Sequence, residues 1–202
     1  MITITQQQAL NTHGVLVVDN FLDITLADRL FDLFSKTDDF ELITQEKEEH
    51  YRTVIKNDVV SLPNEEEIYK AQFRKSESLA DTPPLREFML AVKKIANELM
   101  EENIKYYTRP LCYKMTAGDH LRIHRDLYAG EFGFTYYLTK NWKWDWGGIV
   151  NYYMRQEKTM VPILPQYNRV VIRNEAVELE HYVSPVADFA LQTRNSINGW
   201  GS

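Results

Sequence analysis

The sequence predicts a mainly β protein whose core is a double-stranded β-helix, the cupin-like jelly roll, with N-terminal helices packed on one of its sheets. From residue 111 onward, short stretches rich in Tyr, Phe, Val, Ile and Thr alternate with Gly, Asn, Pro and Asp, which is typical of strands joined by turns. Seven or eight such stretches in about ninety residues favour a jelly roll. The predicted strands are 111–115, 132–138, 148–153, 159–164, 169–172, 181–183 and 189–196.

The first N-terminal helix is expected directly after a short strand at residues 15–22. Asp23 or Thr25 would cap this helix, because both side chains can accept a hydrogen bond from a first-turn amide. The helix would end near Lys36. Its apolar residues recur at helical spacing, at Leu26, Leu30, Phe31, Leu33 and Phe34.

A second helix is expected to begin at Pro83 and Pro84, because proline suits the first turn of a helix. Its apolar side chains fall on one face, which is typical of a helix packed against a sheet. These residues are Phe88, Val92, Ile95 and Leu99.

The length favours a single domain over residues 1–202, because 202 residues with 44% hydrophobic content can bury one sizeable core. Within it, residues 1–108 would form a support region of helices and strands, and residues 109–202 the jelly-roll core. The charged segment 37–70 is weakly periodic, so we expect it to be irregular or mobile. A short strand is possible there at Val54-Ile55 or Val59-Val60.

The charge balance argues against a nucleic-acid partner. The chain has 23 basic and 29 acidic residues and a net charge of -6, which does not suit a surface that attracts phosphates. Cys112 is the single cysteine, so no intrachain disulfide forms, and neither a signal peptide nor a membrane span is evident. We therefore expect a soluble cytoplasmic protein, and the sequence leaves its oligomeric state open.

The candidate metal ligands are His124 and Asp126, in His124-Arg125-Asp126, together with His181. Side chains at i and i+2 of a strand point the same way, so His124 and Asp126 would offer an imidazole and a carboxylate to one ion. His181 would join them from another strand. Two imidazoles and one carboxylate leave three positions open on an octahedral ion, an arrangement suited to oxygen-activating iron(II).

Two other interpretations of this histidine pattern compete with the ligand set. A chance His-x-Asp is common in a chain with five histidines, so the tripeptide alone is a weak motif. His120, four residues before His124, suggests a helical ligand pair, but the surrounding sequence is strand-like. We therefore do not expect His120 to be a ligand.

Arg194 and Ser196 share a face of the last predicted strand, thirteen residues and more after His181. A guanidinium and a hydroxyl on one face can together bind the distal carboxylate of a dicarboxylic acid. A solvated surface arginine is the alternative interpretation of Arg194.

The stretch from Tyr113 to Trp200 resembles the catalytic domain of the prolyl-4-hydroxylase-like 2-oxoglutarate and iron(II)-dependent oxygenase superfamily. The order and spacing of several motifs carry the resemblance. They are Tyr113 and Gly118 ahead of His124-Arg125-Asp126, then Tyr136-Tyr137-Leu138, Trp142, Gly147-Gly148, Asn168-Arg169, His181 in His-x-Val-x-Pro-Val, and Arg194-x-Ser196. The lead-in Val17 to Leu22 is similar too, but is less diagnostic.

The resemblance implies an Fe(II) centre held by His124, Asp126 and His181, with 2-oxoglutarate as cosubstrate. Arg194, Ser196 and Tyr113 would hold its C5 carboxylate, and ascorbate is an expected stimulant. Prolyl hydroxylases proper use a lysine where this chain has Arg194, so the substrate cannot be taken to be a prolyl residue. The carboxylate of Asp126 favours hydroxylation over halogenation, because halogenating members replace it with a small residue.

The implied reaction is hydroxylation of an unactivated C–H bond in a small molecule, an amino acid or a peptidyl side chain, with release of succinate and CO2. A nucleic-acid demethylase of the same fold is one alternative, but the sequence lacks a basic surface and a second arginine after Arg194. A jelly-roll sensor that binds metal without catalysis is the other.

Two further groups have open roles. Trp142, Trp144 and Trp146 alternate along a strand-like run, where they would pack a loop on the sheet or line the substrate entrance. Glu178 and Glu180 would either orient His181 or be solvated.

Overall fold

The structure, a computed structural model, describes residues 4–47, 69–100, 104–126, 131–154, 157–177 and 179–202. In these ranges eleven strands form one mainly antiparallel sheet, which curls into a half-barrel. The α-helices in the same ranges are α1 (Ile4–His13), α2 (Ile24–Lys36) and α3 (Pro83–Leu99). None of the helices in the described part of the chain is long and apolar enough to cross a membrane.

The strands run along the chain as β1 (Val15–Val18), β2 (Glu41–Lys47), β3 (Tyr69–Ser76), β4 (Leu111–Met115), β5 (His120–His124), β6 (Phe132–Tyr137), β7 (Val150–Met154), β8 (Thr159–Ile163), β9 (Arg169–Asn174), β10 (Glu180–Val183) and β11 (Arg194–Gly201). Their order in the sheet is β1-β9-β6-β11-β4-β3-β5-β10-β7-β8, and β2 pairs with β3. Most neighbours in the sheet are not consecutive in the chain, and the predicted mainly β, jelly-roll fold class is confirmed.

Helix α2 begins as the sequence predicts. The side chain of Asp23 accepts a hydrogen bond from the Thr25 amide at 2.9 Å, so Asp23 is the N-cap and Thr25 is not. The helix buries Ala27, Leu30 and Phe34.

Helix α3 also follows its prediction, with Pro83 at its start. All four apolar residues expected on its face are buried: Phe88, Val92, Ile95 and Leu99.

Two apolar clusters fill the two sides of the sheet, and β6 contributes to both. Successive side chains on a strand point to opposite faces, so Phe134 and Tyr136 pack against the helices whereas Tyr137 lies inside the half-barrel. Tyr137 is joined there by Met115 and Tyr152. This alternation explains why every residue of β6 is buried.

The prediction of an irregular segment at 37–70 is wrong for residues 41–47. These residues form β2, which pairs with β3 over seven residues. Pairing with the distant strand β3 makes this charged segment a strand, and the local spacing of its apolar residues does not predict that pairing. The possible strands at Val54-Ile55 and Val59-Val60 lie outside the described residues.

The predictions for the final strand, the tryptophan run and the first strand also need correction. The final strand starts at Arg194 rather than at residue 189. Its pairing with β4 begins at Arg194, and its pairing with β6 begins at Ser196. The tryptophan run is not a strand, because Trp144–Trp146 form a 3-10 turn that Gly147 and Gly148 end at positive φ.

The first strand, predicted over 15–22, ends at Val18. Beyond it, the buried side chain of Asn168 replaces strand pairing: its Oδ1 accepts from the Leu22 amide at 2.9 Å, and its Nδ2 donates to the Leu22 carbonyl at 2.9 Å. Asn168 thereby ties the start of α2 to the sheet.

Candidate active site

Three side chains converge inside the half-barrel, at His124, Asp126 and His181. One potential ligand atom from each lies within 4.8 Å of the others. His124 ends β5 and sits directly opposite His181 on β10, and the centres of their two rings are 4.3 Å apart. We call these three residues the metal cluster.

Asp126 reaches the metal cluster in a different way from the one predicted. Strand β5 ends at His124, so Asp126 does not share a strand face with it. Its Oδ2 instead accepts hydrogen bonds from Arg173 Nη2 at 2.9 Å and from Trp200 Nε1 at 3.2 Å. The prediction that strand alternation brings Asp126 beside His124 is therefore wrong. The carboxylate does lie near His124, but side chains from two other strands hold it there.

A β-bulge helps to aim His124. The register between β10 and β5 pairs His181 with His124 but Val183 with Leu121, so three residues of β5 span two of β10. A bulge changes the direction of the side chains beside it.

Each imidazole of the metal cluster has one nitrogen next to a backbone carbonyl. His124 Nδ1 lies 2.7 Å from the Arg122 carbonyl oxygen, and His181 Nδ1 lies 3.2 Å from that of Leu179. Because a carbonyl only accepts, both Nδ1 atoms carry the proton. The Nε2 atoms face the Asp126 carboxylate, 3.6 Å and 3.8 Å from its oxygens.

The charges in the metal cluster favour cation binding. Burial lowers the pKa of His181 to about 3, and repulsion from His124 adds to the effect, so this imidazole is neutral near pH 7. Burial alone would raise the pKa of Asp126, but Arg173 and the two histidines lower it to about 2. The imidazoles of His124 and His181 together with one carboxylate form a ligand set that suits a divalent ion of the iron type.

Arg173 is a residue of this site that the sequence analysis missed. It is 3% exposed, and its Nε donates to Glu175 Oε1 at 2.8 Å. A side chain at Gly133 would collide with this pair, because an added Cβ would lie 2.6 Å from Arg173 Nη2. The sequence feature that could have indicated Arg173 is its position as a charged residue directly after the apolar, buried residues 170–172.

Arg194 and Ser196, which the sequence placed on one face, both lie in the buried interior. Arg194 is 3% exposed; its Nε donates to the Gly148 carbonyl at 2.7 Å, and its Nη1 donates to Ser196 Oγ at 3.4 Å. Among the described residues no carboxylate forms an ion pair with Arg194. The interpretation of Arg194 as a solvated surface residue is therefore excluded.

Two tyrosines flank Ser196 on the neighbouring strands. Tyr113 on β4 and Tyr137 on β6 both pair with it in register, and the Tyr113 ring packs on Phe73 at 4.4 Å between centres. The Arg194 guanidinium carbon lies 5.0 Å from the centre of the fully buried Tyr137 ring. Arg194, Ser196 and Tyr113 are called the anchor below, and Tyr137 is a neighbour that sequence reasoning did not single out.

The remaining candidates lie elsewhere. His120 is not part of the metal cluster; its Nδ1 lies 2.9 Å from the Gly118 carbonyl oxygen. Glu180 Oε1 accepts from Arg125 at 3.1 Å, and Glu178 lies outside the described residues. Trp142 and Trp146 pack edge to face with ring centres 5.2 Å apart, whereas Trp144 is 76% exposed.

Residues 111–202 match the family model of the 2OG-Fe(II) oxygenase superfamily. The matched segment includes the metal cluster and the anchor. Residues 111–202 are therefore similar in sequence to a 2OG-Fe(II) oxygenase domain. This confirms the resemblance on which the prediction of a 2-oxoglutarate-dependent oxygenase rested.

Solved structures show the same fold at low sequence identity. A prolyl-4-hydroxylase from Pseudomonas putida has a TM-score of 0.70 at 16% identity, covering 98% of this chain and 96% of its own. A Trichoplax adhaerens prolyl hydroxylase in complex with a hypoxia inducible factor peptide fragment has a TM-score of 0.71 at 19% identity, covering 97% of this chain and 86% of its own. HygX from Streptomyces hygroscopicus, with nickel and 2-oxoglutarate bound, has a TM-score of 0.65 at 13% identity, covering 98% of this chain and 87% of its own. Among curated proteins, none matches in sequence.

Proposed function

We propose that this chain binds Fe(II) through His124 Nε2, His181 Nε2 and a carboxylate oxygen of Asp126. The observation that carries the proposal is the convergence of these three ligand groups within 4.8 Å, with both Nδ1 atoms already engaged by backbone carbonyls. Such contacts fix the ring orientation of metal-binding histidines. Arg173 and Trp200 engage Oδ2 of Asp126, which leaves Oδ1 for the ion.

The anchor would hold the C5 carboxylate of 2-oxoglutarate. Arg194 supports this role because a buried guanidinium that lacks a carboxylate partner among the described residues calls for an anionic ligand. Ser196 and Tyr113 would add hydroxyl donors from adjacent strands, and Tyr137 lies on the other side of Ser196. Burial gives these charge-assisted bonds more strength than they would have in water.

We propose that the reaction is hydroxylation of a C–H bond. Bound iron and 2-oxoglutarate would activate dioxygen, one oxygen atom of which would enter the substrate and the other the succinate that forms with release of CO2. The protein's own residues would contribute orientation and exclusion of water, since the apolar side chains of Tyr137, Met115 and Tyr152 fill the interior around the polar groups.

The proposed substrate is an amino acid, a peptidyl side chain or a similar small molecule. Two of the structural neighbours are prolyl hydroxylases, and one of these holds a peptide fragment. The net charge of -6 supports the same choice over a nucleic-acid substrate.

The test is to measure succinate formed from 2-oxoglutarate with Fe(II) and ascorbate, across a panel of free amino acids and peptides. We expect succinate formation to rise with one substrate class and product mass to increase by one oxygen atom. His124→Ala provides the inactive control. Tight binding of metal with no turnover on any substrate would instead identify a non-catalytic metal-binding protein.

A further inference from the structure

A chain of hydrogen bonds leads away from the metal cluster through side chains outside it. Arg173 Nη2 donates to Asp126 Oδ2 at 2.9 Å, and Arg173 Nη1 donates to Thr135 Oγ1 at 3.1 Å. Thr135 Oγ1 in turn donates to Asn198 Oδ1 at 2.9 Å. These contacts extend from β9 through β6 to β11.

The same chain ends at the anchor. Asn198 Nδ2 donates to Ser196 Oγ at 3.2 Å, and Arg194 Nη1 donates to the same oxygen at 3.4 Å. We call Arg173, Thr135 and Asn198 the relay. It connects the proposed metal carboxylate to the proposed cosubstrate anchor without an interruption.

The direction of each bond in the relay follows from counting protons. A guanidinium only donates, so Thr135 must accept from Arg173 and use its single proton toward Asn198 Oδ1. The amide NH2 of Asn198 is thereby turned toward Ser196. Ser196 Oγ then accepts from both Asn198 and Arg194, which leaves its own proton available to a carboxylate ligand.

The fold keeps the relay in place. Thr135 is 8% exposed and pairs in register with Asn198 across β6 and β11. Gly133 pairs with Arg173 across β6 and β9, and its missing side chain leaves the space that the guanidinium occupies. Arg173 and Thr135 are buried and Asn198 is half-buried, and polar groups held in this way on three adjacent strands cannot rearrange without losing hydrogen bonds.

We propose that Arg173, Thr135 and Asn198 are positioning residues that orient the Ser196 hydroxyl as a donor to the cosubstrate carboxylate and couple this orientation to Asp126, an inference that rests on the proposed function. Each ligand would polarise the hydrogen bonds of the preformed relay, so the second ligand would bind more tightly.

The test is a binding cycle with Mn(II) as a redox-stable metal and 2-oxoglutarate as cosubstrate. The coupling factor is the ratio of the Mn(II) dissociation constants without and with 2-oxoglutarate, measured by paramagnetic resonance of free Mn(II). Thr135→Val removes the central hydroxyl and keeps the side-chain shape. We expect the coupling factor to fall roughly three- to tenfold, because the neutral hydrogen bond from Thr135 to Asn198 is lost and the relay is interrupted there.

Thr135→Ser is the matched rescue, since it restores the hydroxyl and is expected to restore the coupling factor. Thr37→Val is the matched control: the Thr37 hydroxyl donates to the Leu33 carbonyl at the end of α2, away from the relay. If Thr135→Val does not unfold cooperatively, Asn198→Ala in the same cycle is expected to give the same fall.

The relay would be overturned by an unchanged coupling factor in the folded variant, by a failure of Thr135→Ser to restore it, or by an equal fall in Thr37→Val. If the wild-type protein bound neither Mn(II) nor 2-oxoglutarate, the proposed function would fail together with the relay. If it bound both and the variants left the coupling intact, the relay alone would fail.

Discussion

At the metal cluster the protein itself supplies opposite charges that pair with one another, whereas at the anchor no carboxylate of the described residues pairs with the guanidinium. The Asp126 carboxylate is bonded to Arg173, which also pairs with Glu175. Arg194 is equally buried, yet its bonds go to a carbonyl, a thioether and a hydroxyl. The metal ligands are thus oriented before any ion binds, while the anchor retains a positive charge that an anionic ligand would neutralise.

The largest expected effect is at the metal cluster. His124→Ala or Asp126→Ala should abolish turnover, because either change removes one of the three ligand groups, while the fold is largely retained. Mn(II) affinity and succinate formation measure the loss. His120→Ala, four residues from His124 and outside the metal cluster, should leave both unchanged. Normal Mn(II) affinity in both ligand variants would contradict the assignment.

A smaller and more selective effect is expected at the anchor. Arg194→Ala should raise the 2-oxoglutarate concentration needed for half-saturation by roughly 10- to 150-fold, since a charge-assisted contact contributes about 1.5–3 kcal/mol. Mn(II) affinity without cosubstrate should not change. Arg194→Lys keeps the charge but loses the paired donors, so it should be intermediate. Unaltered saturation by 2-oxoglutarate would show that Arg194 has another role.

Gly148 offers a gentler way to disturb the anchor alone. An added Cβ would lie 2.7 Å from Arg194 Cδ, so Gly148→Ala should displace this side chain and raise half-saturation by about two- to tenfold. Gly118→Ala is the matched control, because Gly118 also has a positive φ but has no atom within 4 Å of the added Cβ. Both variants should lose about 1–2 kcal/mol of unfolding free energy from backbone strain. Equal half-saturation in the two variants would contradict the expected displacement.

A pH dependence of stability, rather than a change in ligand binding, is also expected from the metal cluster. Burial lowers the pKa of His181 from 6.5 to about 3, so between these values the unfolded chain binds a proton that the folded, metal-free protein does not. The free energy of unfolding should therefore decrease as the pH falls through this window. Urea unfolding at pH values from about 7 to about 4 measures the slope of the unfolding free energy against pH. His181→Asn should have a shallower slope, and an identical slope would place the titration elsewhere.

Much of the architecture was accessible from local patterns. The cap at Asp23, the start of α3 at Pro83 and most strands of the second half follow from residue preferences over a few positions, which act before tertiary contacts form. β2 was missed because its order comes from pairing with β3. The tryptophan run was misassigned because the positive φ of Gly147 and Gly148 turns the chain there.

The sequence by itself determined which residues carry the proposed chemistry, since ligand type and motif spacing are properties of the linear chain. It named His124, Asp126, His181, Arg194 and Ser196 in this way. Tertiary structure alone decided how Asp126 is held and that Arg173, Thr135 and Asn198 connect the two ends of the site. Those contacts join β6, β9, β11 and the segment after β5, and only the curling of the sheet brings these parts of the chain within hydrogen-bonding distance.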